Sequence, residues 1–95
     1  MKHEIYTHNW KDHKCIYIVS LKGFCQVRIW DDNSAYLSNL VVFPKYRGKG
    51  YGDTLLSIAK QQAESAGIPR LYAYTDGEKW VAEWYRRKGI KVLKH

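Results

Sequence analysis

The segment Lys45-Tyr46-Arg47-Gly48-Lys49-Gly50-Tyr51-Gly52 places three glycines at alternate positions among three bases. Glycine takes positive φ without a Cβ penalty and lets a ligand come close to the main chain. Where a helix begins, its free N–H groups and the positive end of its dipole form an anion site. The chemistry implied is that of a pyrophosphate cradle, strengthened by Lys45, Arg47 and Lys49. Two well-known phosphate loops do not fit. A P-loop requires Gly-Lys-Ser/Thr, which occurs nowhere in the chain. The dinucleotide pattern Gly-x-Gly-x-x-Gly, started at Gly48 or Gly50, would need its third glycine at Asp53 or Leu55.

Other side chains invite chemistry less. His3, His8, His13 and His95 suggest a metal, but five-residue steps put successive histidines on opposite faces of a strand, so no metal site is expected. Cys15 and Cys25 read as buried small hydrophobes. A two-residue turn at Leu21-Lys22 sets Cys15 opposite Arg28, so the two cysteines do not face each other, and no cysteine nucleophile is expected. Trp80 and Trp84, four apart, are expected to pack on one helix face. Trp30 and Tyr36 flank a turn and are candidates to line a binding site.

These residues need elements to hold them. Glu4–Trp10, Cys15–Ser20, Phe24–Trp30 and Ala35–Phe43 read as four strands of an antiparallel meander, rich in β-branched and aromatic residues. Asp31-Asp32-Asn33-Ser34 is a turn. Pro44 ends the fourth strand, and a helix is predicted over Gly50–Ala66 from Leu55, Leu56, Ala59, Ala63 and Ala66. Gly67 caps it and Pro69 blocks continuation. Arg70–Thr75 is a fifth strand, followed by an Asp76-Gly77 turn in which Thr75 or Asp76 is placed to cap a helix over Glu78–Lys88. Gly89 ends that helix, and Ile90–Leu93 is a last strand. The order is β-β-β-β-α-β-α-β, an α+β fold with a mixed, mostly antiparallel sheet, expected to form a single domain over 1–95.

Composition narrows the classes. A 95-residue chain buries roughly 60–65% of its unfolded surface, enough for one modest core. Its 45% hydrophobic and 26% charged residues describe a globular protein rather than a disordered one. No apolar run approaches the ~18 residues of a membrane span. The amino terminus turns polar again by Thr7-His8-Asn9, so no secretory signal is expected. Two cysteines make no disulfide scaffold, and a reducing cytoplasm is the expected location. The formal charge is +7, and eight of the 16 bases lie in two acid-free stretches, Pro44–Gly50 and Arg86–His95. The rest of the chain is close to neutral, so the excess points to a polyanionic partner.

Arg47-Gly48-Lys49-Gly50-Tyr51-Gly52 resembles the Arg/Gln-x-x-Gly-x-Gly/Ala acetyl-coenzyme A loop of the GNAT superfamily of N-acetyltransferases. Leu40-Val41-Val42-Phe43-Pro44 is similar to that family's central strand, and Leu55-Leu56 to the aliphatic pair of the helix after the loop. Trp84-Tyr85-Arg86-Arg87-Lys88-Gly89-Ile90 resembles its aromatic-Tyr-x-x-x-Gly motif, one helix and one strand later. The likeness covers Ala35 to Ile90.

The resemblance implies a three-layer α/β GNAT-like fold, acetyl-CoA as co-substrate, and direct transfer of the acetyl group to a primary amine. The pyrophosphate would sit on Gly48 to Gly52, with Arg47 and Lys49 nearby. The pantetheine arm would lie along Leu40, Val41 and Val42, where the central strand splays from the next parallel one. A backbone N–H near Leu40 or Val41 would polarise the thioester carbonyl. Tyr85 would protonate the departing thiolate, since a phenol of pKa ~10 keeps its proton at neutral pH. Ser38-Asn39 stand where a glutamate base is common, and Glu78 stands where an asparagine is common, which makes Glu78 the candidate base. Only a few residues separate Trp10 from Cys15, where the family places two helices, so the acceptor side is expected to be open or covered by a second subunit. The acceptor, whether a small molecule, peptide or protein, is not specified. Two alternatives stand beside the enzyme: an acyl-CoA-binding module without catalysis, and a small basic nucleic-acid-binding protein. No membrane partner is expected, and a homodimer fits the exposed sheet edges.

Overall fold

The computed structural model describes residues 1–75 and 79–93. The expected Asp76-Gly77 turn, Glu78, Lys94 and His95 lie outside the described residues. Six strands form one sheet in chain order: β1 (Glu4–Asn9), β2 (His13–Val19), β3 (Gly23–Trp30), β4 (Ala35–Val42), β5 (Leu71–Tyr74) and β6 (Lys91–Leu93). Strands β1 to β4 pair antiparallel, while β4, β5 and β6 run parallel. Helix α1 (Tyr51–Ser65) joins β4 to β5, and α2 (Lys79–Arg87) joins β5 to β6. This is the expected order, with ends moved by one or two residues.

Local chemistry explains the turns. Between β2 and β3 the Ser20 hydroxyl accepts from the N–H groups of Lys22 and Gly23, at 3.1 and 3.2 Å, and donates to the Gly23 carbonyl. Gly23 sits so close to β4 that a Cβ there would lie 2.2 Å from the Val41 carbonyl oxygen, so no other residue fits. Between β3 and β4, Asn33 takes a left-handed conformation and Asp32 Oδ1 accepts from the N–H and hydroxyl of Ser34.

Alternation along the strands builds the core. Ile16 and Ile18, then Cys25, Val27 and Ile29, then Ala35 and Leu37 point to one face, where they meet Leu55, Leu56, Ala59 and Ala63 of α1 and Tyr85 of α2 in a single cluster. Both helices therefore cover the same face. The third layer implied by the resemblance is absent among the described residues, because only Trp10 to Asp12 join β1 to β2, which leaves no length for a helix. The opposite face carries Phe24, Gln26, Arg28, Trp30, Tyr36 and Tyr72, all half-buried. Cys15 pairs across from Arg28, as expected, and both cysteines are free and buried. No described helix is long and apolar enough to cross a membrane.

Leu55 is fully buried where α1 meets β3 and β4. Leu55→Ala is expected to cost about 3 kcal/mol, a large part of the ~5–15 kcal/mol that holds such a domain together. Urea unfolding followed by circular dichroism measures this, with the midpoint falling at constant slope.

Candidate active site

The site begins where β4 loses a neighbour. The β4–β5 ladder consists of Ala35–Leu71, Tyr36–Tyr72 and Leu37–Ala73, yet β4 continues to Val42. On its other side β4 stays paired with β3 as far as Val42–Gly23. From Ser38 onward no described residue of β5 pairs with β4, which is where the splay was expected.

A bulge lies at the same point. Gln26 pairs with Asn39 and Val27 with Leu37, which leaves Ser38 as an extra residue. Ala35 and Leu37 face the helices, and after the bulge so do Leu40 and Val42, which pack on the core. The sequence reading missed this feature. Its signal is the change of apolar phase from odd to even positions across the polar pair Ser38-Asn39.

Beyond Val42 the chain makes a short 3-10 turn, Pro44–Tyr46, and enters the glycine loop. Gly48 and Gly50 have φ of 78° and 84°, in the left-handed region, and nothing lies within 4 Å of a Cβ built on either. Helix α1 starts at Tyr51, one residue later than expected, because Gly50 in that conformation is its N-cap. No side chain caps it, so the first-turn N–H groups remain available. Arg47 Nε donates to the Val42 carbonyl at 3.0 Å and ties the loop back to β4.

The end of β4, the loop, the start of α1 and one side of α2 enclose a cleft of about 570 Å³. Leu40, Val41, Val42, Arg47, Gly48, Gly50, Tyr51, Gly52 and Tyr85, all singled out from the sequence, line it. Lys49 is exposed and outside the lining. Glu78 lies outside the described residues. Tyr46, Asp53, Trp80, Val81 and Trp84 also line the cleft and were not foreseen. Trp84 packs against the core as expected, whereas Trp80 is 66% exposed at the rim. One helix turn separates them, and the Trp84 ring lies 3.7 Å from a Cβ built on Gly52 of α1.

Charge is managed locally. Asp53 adds a carboxylate to the lining, and Lys88 Nζ of the second basic stretch pairs with it at 2.8 Å. Lys22, from the β2–β3 turn, lies 4.1 Å from the ring centre of Tyr46 and 5.5 Å from that of Tyr51, which holds a further base beside the loop. Tyr85 is 8% exposed, and burial raises its pKa above that of an ordinary phenol, with the neighbouring Cys25 adding to the shift. Burial pushes the Cys25 thiol itself up to about 12. Both groups keep their protons at neutral pH.

A second trough, of about 650 Å³, opens on the helix-free face and includes Asp12, Arg28, Trp30, Asp31, Asp32, Tyr36, Ser38 and Tyr74. Trp30 and Tyr36 thus stand in one concavity. Tyr36 stacks on Tyr74 with ring centres 5.4 Å apart. Hydrogen bonds from Ser34 hold the Asp32 carboxyl below the usual range, and His13 does the same for Asp12. Ser38 lines this trough and Leu40 the first cleft, so residues two apart in β4 border the two concavities.

Comparison with known proteins gives the same answer as the geometry. The acetyltransferase (GNAT) family model matches residues 2–90. The chain belongs to the GNAT acetyltransferase family. Over 63 residues, 66% of this chain and 14% of the relative, it is 36% identical to the amino-acid acetyltransferase of Pseudomonas syringae pv. syringae. A Bacillus anthracis protein described as a streptothricin acetyltransferase, solved with acetyl coenzyme A, superposes with a TM-score of 0.67 and 25% identity, over 85% of this chain and 49% of that one. An acetyl transferase from Pyrococcus furiosus has the same fold, with a TM-score of 0.72 and 24% identity, over 88% of this chain and 62% of that one. This GNAT chain therefore spans about a seventh of the curated relative's length and about half of the first of these structures.

In this GNAT loop the glycines are required by conformation before any ligand is considered. Gly50→Ala meets no steric clash but must hold a left-handed φ, so a loss of about 1–2 kcal/mol is expected by chemical denaturation.

Proposed function

We propose that this chain is an N-acetyltransferase that moves an acetyl group from acetyl-CoA to a primary amine by direct attack on the thioester. One observation carries the reading: a strand edge without a neighbour among the described residues, an uncapped helix start behind two left-handed glycines, and a buried protonated tyrosine open into one cleft. The donor set suits the co-substrate. Amide N–H groups and bases match a pyrophosphate, and Leu40, Val42, Val81 and Trp84 offer apolar walls to a pantetheine arm.

Acetyl-CoA supplies the acetyl thioester. The N–H groups of Gly48 to Gly52 hold its pyrophosphate, with Arg47 and Lys49 adding positive charge. The exposed β4 edge, Leu40 to Val42, aligns the arm through main-chain hydrogen bonds. An N–H at Leu40 or Val41 polarises the carbonyl while the amine nitrogen attacks its carbon. As the C–S bond breaks, Tyr85 gives its phenolic proton to the sulfur, and Glu78 takes the proton that the amine sheds. Cys25 is not needed, since its thiol stays protonated.

The amine reaches the carbonyl from the helix-free face, through the trough bounded by Trp30, Tyr36 and Tyr74. The carboxylates of Asp12 and Asp32, kept ionised by their partners, favour a cationic acceptor, whether small molecule, peptide or protein. We further propose that residues 1–95 act as one domain in a reducing cytoplasm, where two free cysteines persist, and that a second copy can add to the exposed edge of β1. A second reading, binding of acyl-CoA without turnover, is favoured by the presence of Ser38 and Asn39, neither a carboxylate, in the bulge.

Calorimetric titration with acetyl-CoA, followed by a thiol-release assay over a panel of amines, tests the proposal. Saturable binding with turnover supports the enzyme, binding without turnover supports the second reading, and no heat at millimolar acetyl-CoA refutes both. Gly50→Glu fills and charges the cradle and is expected to abolish binding in the same titration. Tyr85→Phe is expected to lower kcat by about 10²-fold with little change in acetyl-CoA affinity. Because burial raises the Tyr85 pKa, its acid form persists above pH 10. The pH–kcat profile should rise as the amine loses its proton and show no falling limb below pH 10. A limb near pH 8 would remove Tyr85 from the acid role.

A further inference from the structure

The bulge in β4 is held by one residue of the neighbouring strand, through its side chain and its main-chain carbonyl. Gln26 Oε1 accepts from Asn39 Nδ2 at 3.0 Å, and the Gln26 carbonyl accepts from the Ser38 hydroxyl at 3.3 Å. On its far side Gln26 Nε2 donates to Cys15 Sγ at 3.4 Å, and Cys15 is 1% exposed. A single glutamine thus reaches from a buried thiol in β2 to both residues of the irregularity in β4.

We infer that Gln26 is a positioning residue for acetyl transfer, locking the Ser38 bulge so that the main chain of Leu40 to Val42 is presented to the cleft. This rests on the acetyltransferase reading above. An extra residue in a strand can migrate, because the pairing on either side is regular and one step of slip restores a ladder elsewhere. A slip here would exchange the faces of residues near 40, turn Leu40 away from the helices and bring Asn39 towards them. The two contacts to Gln26 oppose that slip, because they exist only when Asn39 is opposite Gln26 and Ser38 is the extra residue. The group that polarises the carbonyl then depends on a side chain that lines neither concavity.

Gln26→Leu keeps the bulk and removes both side-chain hydrogen bonds, whereas Gln26→Glu keeps an oxygen for Asn39. In the free chain, amide hydrogen exchange over residues 37–41, read by NMR, should quicken at least tenfold in Gln26→Leu while exchange around Leu55 is unchanged. In the enzyme, kcat should fall about tenfold, with acetyl-CoA affinity by calorimetry within twofold, because the glycine loop is untouched. Gln26→Glu should recover most of both. Unchanged exchange and kcat in Gln26→Leu overturn the inference, as does an equal loss in the two variants, and a parallel loss of kcat and affinity identifies general unfolding instead. If the unaltered chain neither binds acetyl-CoA nor turns over, the acetyltransferase reading falls and takes the catalytic role of Gln26 with it. The exchange measurement decides the lock by itself.

Discussion

The site depends on β4 parting from β5 after Leu37 while it remains paired to β3 up to Val42. A strand in a parallel sheet normally spends its main-chain donors and acceptors on both neighbours. Here half of them, from Ser38 onward, find no strand partner among the described residues, and unpaired main-chain groups must meet water or a ligand. The parting is stable because other contacts hold each side. Gly23 lets the β2–β3 turn press against Val41, Phe43 donates to the Lys22 carbonyl, and Arg47 closes on Val42. On the other side Thr75 donates to Leu93 and carries β5 towards β6.

That one gap also explains why the two faces of the sheet differ. The helix face is apolar and closed, with both helices in one cluster, so acidic or basic groups there stay neutral, as Cys25 and Tyr85 do. The opposite face is half-open, aromatic and rimmed by carboxylates. The +7 charge finds its place in the same arrangement. Part of it surrounds the glycine loop, Lys22 joins it from a distant turn, and Lys88 answers Asp53. The second basic stretch is therefore partly an internal counterweight rather than a separate binding surface.

Much of this was legible in the residues. Periods of two and of 3.6 marked the strands and helices, proline and glycine marked their ends, and the glycine loop announced an anion site at a helix start. What escaped involved contacts between distant segments. Trp80 and Trp84 look alike in a helical pattern, yet Trp84 packs on the core beside Gly52 of α1 while Trp80 stays exposed. Lys49 sits among the glycines but lies outside the cleft, while Lys22, far away in the chain, stands beside the loop. The bulge at Ser38 left a trace as a phase change in β4, but a phase change shows only that a residue is extra and not which residue is opposite it.

By itself the sequence determined what is local: which segments extend or coil, where the chain must turn, and that a positively charged glycine loop precedes a helix. Those outcomes follow from backbone sterics and side-chain periodicity within a few residues. The tertiary structure alone decided which half of β4 would go unpaired, which face both helices would cover, and which tyrosine would be buried with its proton. These are settled by packing and pairing between segments far apart in the chain, where the free energy belongs to the contact and not to either residue.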